Sequence, residues 1–199
     1  MTLIRDRSNN DETLELQTPR LILRALTRND ARELLELRIR NREAFRPFEP
    51  NYPDSHFTLT TQREIIEEFS NIQLRGLGLG FGIFLRTASR PLIGRIAIRN
   101  IVRGVAQNGT IGFFLDAAYH SQGYMTEACR ATVTYCFSHF DLHRLDASVM
   151  PENLPSRRVF EKLGFANEGT AHAFLFINNA WRDHILYAMT VDRWDCQAP

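Results

Sequence analysis

The chain has 199 residues, 44% apolar and 24% charged, with a formal net charge of +1. This is the profile of one ordinary domain with a real core, and it excludes a disordered or fibrous chain. The near-neutral balance removes any global electrostatic case for direct nucleic-acid binding, and no apolar run approaches the roughly 18 residues of a membrane span. Three cysteines, at 129, 136 and 196, lack Cys-x-x-Cys spacing. They indicate neither a disulfide framework nor a thiolate zinc site, and they fit a reducing, cytoplasmic setting. The opening Arg5-Asp6-Arg7-Ser8 contains no apolar signal region. Lys162 is the one lysine among mostly arginine cations, and the Arg38, Arg40, Arg42, Arg46 group reads as a solvated helix face.

After a polar leader, residues 1–16, Leu21 to Leu26 reads as a strand. Thr27 with Asp30 three residues on reads as the start of a helix through Leu34, Leu35 and Ile39. A loop rich in proline and aromatics, Phe45 to Phe57, is a candidate binding surface, and the helix after it carries Ile65, Ile66, Phe69 and Ile72. Leu79 to Leu85 and Leu92 to Val102 flank Ser89-Arg90-Pro91 as a hairpin. Gln107-Asn108-Gly109 predicts a second turn leading into Thr110 to Asp116, so three antiparallel strands are expected between 79 and 116.

A short polar turn, Tyr119 to Met125, then meets an amphipathic helix whose Met125, Cys129, Val133, Cys136, Phe137 and Phe140 form one buried stripe. The two cysteines are therefore expected in the core. A strand that delivers a tight turn into a helix leaves several N–H groups free and aims about +0.5 of an elementary charge outward, a socket for phosphate. Leu145 to Val149 is a further strand, and Asn153 to Leu163 a short helix stopped by Gly164. Phe174 to Ile177 with His184 to Val191 form a closing hairpin around Asn178-Asn179-Ala180.

This order of elements, the His120 to Met125 turn, and the segment from Asn153-Leu154-Pro155-Ser156 to Lys162-Leu163-Gly164-Phe165 resemble the GNAT superfamily of acyl-CoA-dependent N-acetyltransferases. Phe45-Arg46-Pro47-Phe48-Glu49-Pro50, Val102-Arg103-Gly104, Met150-Pro151-Glu152-Asn153 and Trp181-Arg182-Asp183-His184 are similar to the bacterial ribosomal-protein alanine N-acetyltransferases, the RimJ/RimL-like group. The resemblance implies an α/β (α+β) fold with a mixed, mostly antiparallel central sheet flanked by helices. It implies a single domain over 17–192, a tail over 193–199, and a monomer or homodimer. The implied reaction is acetyl transfer from acetyl-CoA by direct amine attack in a ternary complex, without a metal. The implied acceptor is a protein N-terminus, ribosomal by resemblance. A small amine such as a polyamine, amino acid or aminoglycoside is the alternative, and a non-catalytic acyl-CoA-binding module is a further one.

By the same resemblance the pyrophosphate lies in the turn of His120, Ser121, Gln122, Gly123, Tyr124 and Met125, with Gly123 where a Cβ would obstruct close approach. The family's usual turn has Gln or Arg first and Gly or Ala sixth, where this chain has His120 and Met125. Asn153 and Ser156 would face the pantetheine arm and thioester sulfur, and both also suit a helix N-terminus. Many family members carry a tyrosine acid where this chain has Phe160, which leaves Ser156, directly or through water, to protonate the thiolate. An α-amine, with pKa about 7.7 to 8.0, needs only a mild base. Glu49, His172 or a water chain could act so, and Glu49 could instead bind the substrate ammonium. The oxyanion would meet a backbone N–H near Phe114 or Leu115. His139 and His143 lack a third ligand, and Asp183 with His184 lies on an expected strand, so neither a metal site nor a Ser-His-Asp triad is read here.

Overall fold

The computed structural model describes residues 2–4 and 14–196. Its strands are β1 (Thr2–Ile4), β2 (Glu15–Gln17), β3 (Leu21–Arg24), β4 (Leu79–Leu85), β5 (Leu92–Val102), β6 (Asn108–Leu115), β7 (Arg144–Val149), β8 (Ala166–Ile177) and β9 (Ala180–Thr190). They form one nine-stranded sheet in the order β1-β2-β3-β4-β5-β6-β7-β9-β8. Every neighbouring pair is antiparallel except β6 and β7, which run parallel. The mixed, mostly antiparallel α/β sheet expected from the resemblance is present.

The helices are α1 (Ala31–Arg40), α2 (Arg42–Phe45), α3 (Leu59–Leu74), α4 (Tyr124–His139), α5 (Leu154–Lys162) and α6 (Val191–Asp195). They cover the sheet on both faces because its strands bury side chains in both directions. On one face Ile22, Phe84 and Leu92 pack with Ala31, Leu34 and Leu37 of α1, Phe45 of α2 and Ile66 of α3. On the other, Leu23, Ile83, Ile96 and Leu145 pack with Cys129, Val133 and Cys136 of α4 and Phe160 of α5. Cys129 and Cys136 are fully buried, and burial raises both thiols well above their ordinary range. They are core residues, as their spacing predicts.

The structure corrects four local expectations. Strand β1 and the first two residues of β2 fall within the stretch read as a leader. Each is too short to show an alternating pattern, and pairing along the sheet makes them strands. Residues 1, 5–13 and 197–199 of the expected leader and tail lie outside the described residues, and α6 reaches into the tail. The turn before β6 sits at Gly104 and Val105, while Asn108 and Gly109 already pair with Val102 of β5 and with Arg144 and Leu145 of β7. Finally, Arg38 is not on a solvated face: it is 5% exposed and paired with Glu49.

One topological feature positions the cleft. The parallel pairing of β6 with β7 covers only Asn108–Arg144, Gly109–Leu145 and Thr110–Asp146. Beyond Thr110 the two strands diverge. β6 continues to pair with β5 as far as Leu115, and β7 continues to pair with β9 as far as Val149. A sheet that parts in its middle leaves one strand edge open between two layers of helices.

Candidate active site

A cleft of about 480 Å³ enters the sheet at this parting. Its walls hold Phe113, Phe114 and Leu115 of β6, the 119–126 turn, the first turns of α5, and Phe45, Phe48 and Glu49 from the aromatic loop. Of the residues singled out in the sequence, Glu49, Phe114, Leu115, His120, Ser121, Gly123, Tyr124, Met125, Asn153 and Ser156 all line it. The Gln122 side chain does not, and that residue takes part through its backbone.

The turn is built to leave amides free. Ser121 has φ of 61° and Gly123 φ of 81°, two left-handed residues that reverse the chain just before α4. The first hydrogen bond of the helix runs from the Glu127 N–H to the Gly123 carbonyl. Among the described residues, the backbone N–H groups of Ser121, Gln122, Gly123, Tyr124, Met125 and Thr126 find no acceptor. An array of unpaired donors at a helix N-terminus concentrates positive potential. The nearest atom to a Cβ placed on Gly123 would be Nη2 of Arg20 at 3.4 Å, so glycine is needed here for its backbone angle rather than for internal space.

Contacts from distant parts of the chain hold the turn in place. Arg20 donates from Nη1 to the Gln122 carbonyl at 2.9 Å and from Nε to Glu127 at 2.6 Å, and its guanidinium lies 4.4 Å from the centre of the Tyr124 ring. The other Glu127 oxygen accepts from the Thr18 hydroxyl and the Arg20 N–H. Burial pushes the Glu127 carboxyl up, but Thr18 and Arg20 outweigh it and hold it below the ordinary range. On the β6 side, the Ala117 N–H donates to the buried Asn41 side chain, Arg40 pairs with Asp116 at 2.6 Å, and the His120 ring bonds the Leu115 carbonyl.

The opposite wall belongs to α5. The Asn153 side chain accepts from the Ser156 N–H at 3.2 Å, as a helix cap does. The Ser156 hydroxyl has no partner among the described residues and sits in the cleft wall. Phe160, one turn on, is 2% exposed and packs on Phe113, Phe165 and Tyr187, so its ring belongs to the core and not to the cleft. Arg158 and Lys162 also line the cleft and bring positive charge to it. The sequence reading missed them, although their spacing of four behind the Asn153 cap places both on one helix face.

At the far end, Glu49 receives Arg38 through both oxygens, at 2.7 and 2.6 Å. The Arg38 guanidinium also lies 5.3 Å from the Phe45 ring and 5.1 Å from the Phe114 ring. The Asn178 N–H of the β8–β9 turn donates to the Glu49 carbonyl, which braces the aromatic loop. His172, the other candidate base, lies outside the cleft: its ring bonds Asp183 on the β8–β9 hairpin and is 80% exposed. Among the described residues no cluster of His, Cys, Asp or Glu could hold a metal ion, and no helix is long and apolar enough to cross a membrane.

A mixed sheet parted beside a helix N-terminus is the arrangement of the GNAT acetyltransferases. The chain belongs to this family of N-acetyltransferases, whose model, described as Acetyltransferase (GNAT) domain, matches residues 20–166. It is 41% identical over 169 residues to the protein named Probable N-acetyltransferase YjcK of Bacillus subtilis strain 168, covering 85% of this chain and 93% of that one. It is 30% identical over 186 residues to the ribosomal protein uS5-alanine N-acetyltransferase of Escherichia coli strain K12, covering 94% and 95%. Among solved structures, the ribosomal-protein-S5-alanine acetyltransferase of Vibrio fischeri superposes with a TM-score of 0.84 at 29% identity, over 90% of this chain and 98% of that one. RimJ of Mycobacterium smegmatis, solved in complex with CoA-disulfide, superposes with a TM-score of 0.82 at 29% identity, over 86% and 82%. The resemblance drawn from the two sequence motifs holds.

Proposed function

We propose that this acetyltransferase moves the acetyl group of acetyl-CoA to the α-amine of a protein N-terminus, with a ribosomal protein as acceptor, inside a ternary complex. The carrying observation is the run of unpaired N–H groups from Ser121 to Thr126, which opens onto the same cleft as Ser156 and Glu49. The donor set fits acetyl-CoA: free amides for a pyrophosphate, Arg158 and Lys162 for further negative charge, and an apolar wall for the pantetheine arm. Similarity to the uS5-alanine and S5-alanine enzymes supports the acceptor class. The catalytic unit spans 17–192, its sheet extended by β1 and β2.

The roles follow from position. Alternate N–H groups along β6 point to opposite sides, and the Asp116 N–H bonds the Ile93 carbonyl of β5. The Leu115 N–H therefore faces the parting, whereas that of Phe114 faces β5. Of the two candidates Leu115 meets the oxyanion, and Phe114 shapes the acceptor side with its ring. Glu49 keeps one lone pair free on each oxygen after binding Arg38, and these receive the incoming ammonium. Once the ammonium has lost a proton to water, the amine attacks the thioester carbon. The new C–N bond forms, the C–S bond breaks, and nitrogen loses a second proton. The Ser156 hydroxyl, backed by water, returns one proton to the thiolate.

Release of CoA thiol with a panel of acceptors tests this reading. Peptides with a free N-terminus should turn over, the same peptides blocked at the N-terminus should not, and mass spectrometry should place the added acetyl on the α-nitrogen. Turnover confined to polyamines or aminoglycosides would overturn the protein acceptor.

A further inference from the structure

On the acceptor face of the sheet lies a buried cation without an ion-pair partner among the described residues. Arg95, in the middle of β5, stands opposite Gly82 of β4 and Phe114 of β6. It is 9% exposed, and its guanidinium lies 3.8 Å from the centre of the Phe69 ring of α3. Among the described residues it makes no hydrogen bond and no ion pair. Arg99 lies 5.1 Å from the centre of the same ring, so two cations share one aromatic side chain. Burial, with Arg99 and Arg38 adding to it, pulls Arg95 down to about 9, which still leaves it charged at neutral pH.

The Tyr52 ring, from the aromatic loop, lies 5.8 Å from the Arg38 guanidinium, and its phenol feels the charges of Arg95 and Arg99. Burial is the chief influence on it, followed by the Glu49 carboxylate, with Arg38, Arg99 and Arg95 acting in the opposite sense. Its hydroxyl has no hydrogen-bond partner among the described residues. The nearby charges are Arg38, Arg95 and Arg99 against Glu49, which is already held by Arg38, and Glu68. One positive charge is left over. An uncompensated buried charge is costly, and an apolar side chain beside Phe69 would avoid that cost. A donor kept there at that expense is a donor available to a ligand.

The ligand is an anion of small size on the acceptor side. The sheet separates Arg95 from the α4 N-terminus, so the nucleotide end of the cleft is elsewhere. Arg38, packed against Phe45 and Phe114, joins the cluster to the acceptor wall. Arg95 also stands directly across from Phe114, whose ring lines the cleft, and the void of about 20 Å³ on its other side, beside Phe69, Ser70 and Gln73, is too small for a phosphate.

We propose that Arg95, Arg99 and Tyr52 form a carboxylate subsite, so that this enzyme selects amine acceptors bearing a carboxylate close to the reacting nitrogen. In a peptide the group is an acidic side chain just behind the N-terminus; in a small acceptor it is the carboxylate of an amino acid. This rests on the reading of the Phe45–Glu49 wall as the acceptor side.

The test uses the full chain and pairs of peptides that differ only in Asp against Asn, or Glu against Gln, at the second and third positions, with free aspartate and glutamate as further acceptors. The acidic member should be favoured about tenfold or more in kcat/KM, as expected for a desolvated charge pair. Arg95→Met should bring that ratio to about twofold or less without moving the KM for acetyl-CoA, and Arg95→Lys should restore part of it. Saturable turnover of the free amino acids but not the peptides identifies the small-molecule source, and the reverse identifies the peptide. Equal kcat/KM for acid and amide in the wild type, or an unchanged ratio in a folded Arg95→Met, overturns the subsite. If Arg95→Met does not fold, Arg99→Met and Tyr52→Phe decide, since the ratio must fall in both. If no acceptor turns over, the proposed function fails on its own account. Calorimetric binding of the same peptides with CoA present then decides the subsite by whether acid still exceeds amide.

Discussion

Arg38 holds both carboxylate oxygens of Glu49 in a two-pronged pair inside the cleft wall. A fork of this kind fixes the carboxylate in direction as well as in charge. Its Arg38 side is nearly dry, with 6% of the side chain exposed, and its Glu49 side keeps 22%, which is the side an acceptor can reach.

Replacing Glu49 with Gln should therefore lower kcat/KM for a peptide acceptor by about 100-fold while the Kd for acetyl-CoA stays put. Steady-state rates and calorimetry read the two quantities separately. Arg38→Met, which leaves Glu49 without its partner, should cost about 3 kcal/mol of stability in denaturant melts, at the lower end for broken buried pairs because Glu49 retains some water.

Gly123→Asp places a carboxylate among the free amides. It should raise the Kd for acetyl-CoA by more than about 100-fold, through like charge and lost approach. Gly123→Ala separates the backbone cost from the charge: with φ of 81° and only the end of the Arg20 side chain at 3.4 Å from the Cβ, it should lose about 1 kcal/mol of stability and bind far better than the Asp variant. Equal binding losses in both variants would show that the charge is irrelevant.

Ser156→Ala should reduce kcat by about tenfold and leave the acetyl-CoA Kd alone, because the hydroxyl makes no hydrogen bond among the described residues and water can take its place in part. An unchanged kcat across pH 6 to about 9 would assign the proton entirely to water.

Phe160→Tyr restores the residue many relatives carry, yet it should not raise kcat. The ring is packed between Phe113, Phe165 and Tyr187, so the added hydroxyl is buried and costs about 1 to 3 kcal/mol. A gain in rate without a loss in melting temperature would mean that the ring reaches the cleft.

Glu127 gives the turn an acid limit. Its folded carboxyl titrates below the unfolded value of about 4.3, so the unfolded chain takes up the proton first as pH falls. The stability it contributes is fully present above that pH and is lost as pH drops through the folded value. Melting temperatures between pH 3 and about 7 should fall less steeply in Glu127→Gln than in the wild type, from a lower plateau.

Several features of the site were legible because their causes are local. Asn153 followed by Pro155 and Ser156 is a helix start by its own chemistry, and Asn153 does cap α5. The stripe through Cys129, Val133 and Cys136 is one helix face wherever the helix packs. His172 and Glu49 were equal candidates for a base on residue type alone. Their separation into an exposed hairpin residue and a cleft residue depends on which loops the sheet order brings together.

The linear order of residues thus determined the succession of strands and helices, the amide-rich turn before α4 and the family, since periodicity, caps and left-handed turns act over a few residues. Only the tertiary structure decided that β6 and β7 part after Thr110, that Leu115 rather than Phe114 shows its N–H to the opening, and that Arg20 braces Gln122 and Glu127 from 102 and 107 residues away. It also decided that Arg38 and Arg95 lie buried on one face. Such neighbours are set by strand order and by the side of the sheet on which each helix lands, and no short window of sequence contains both partners.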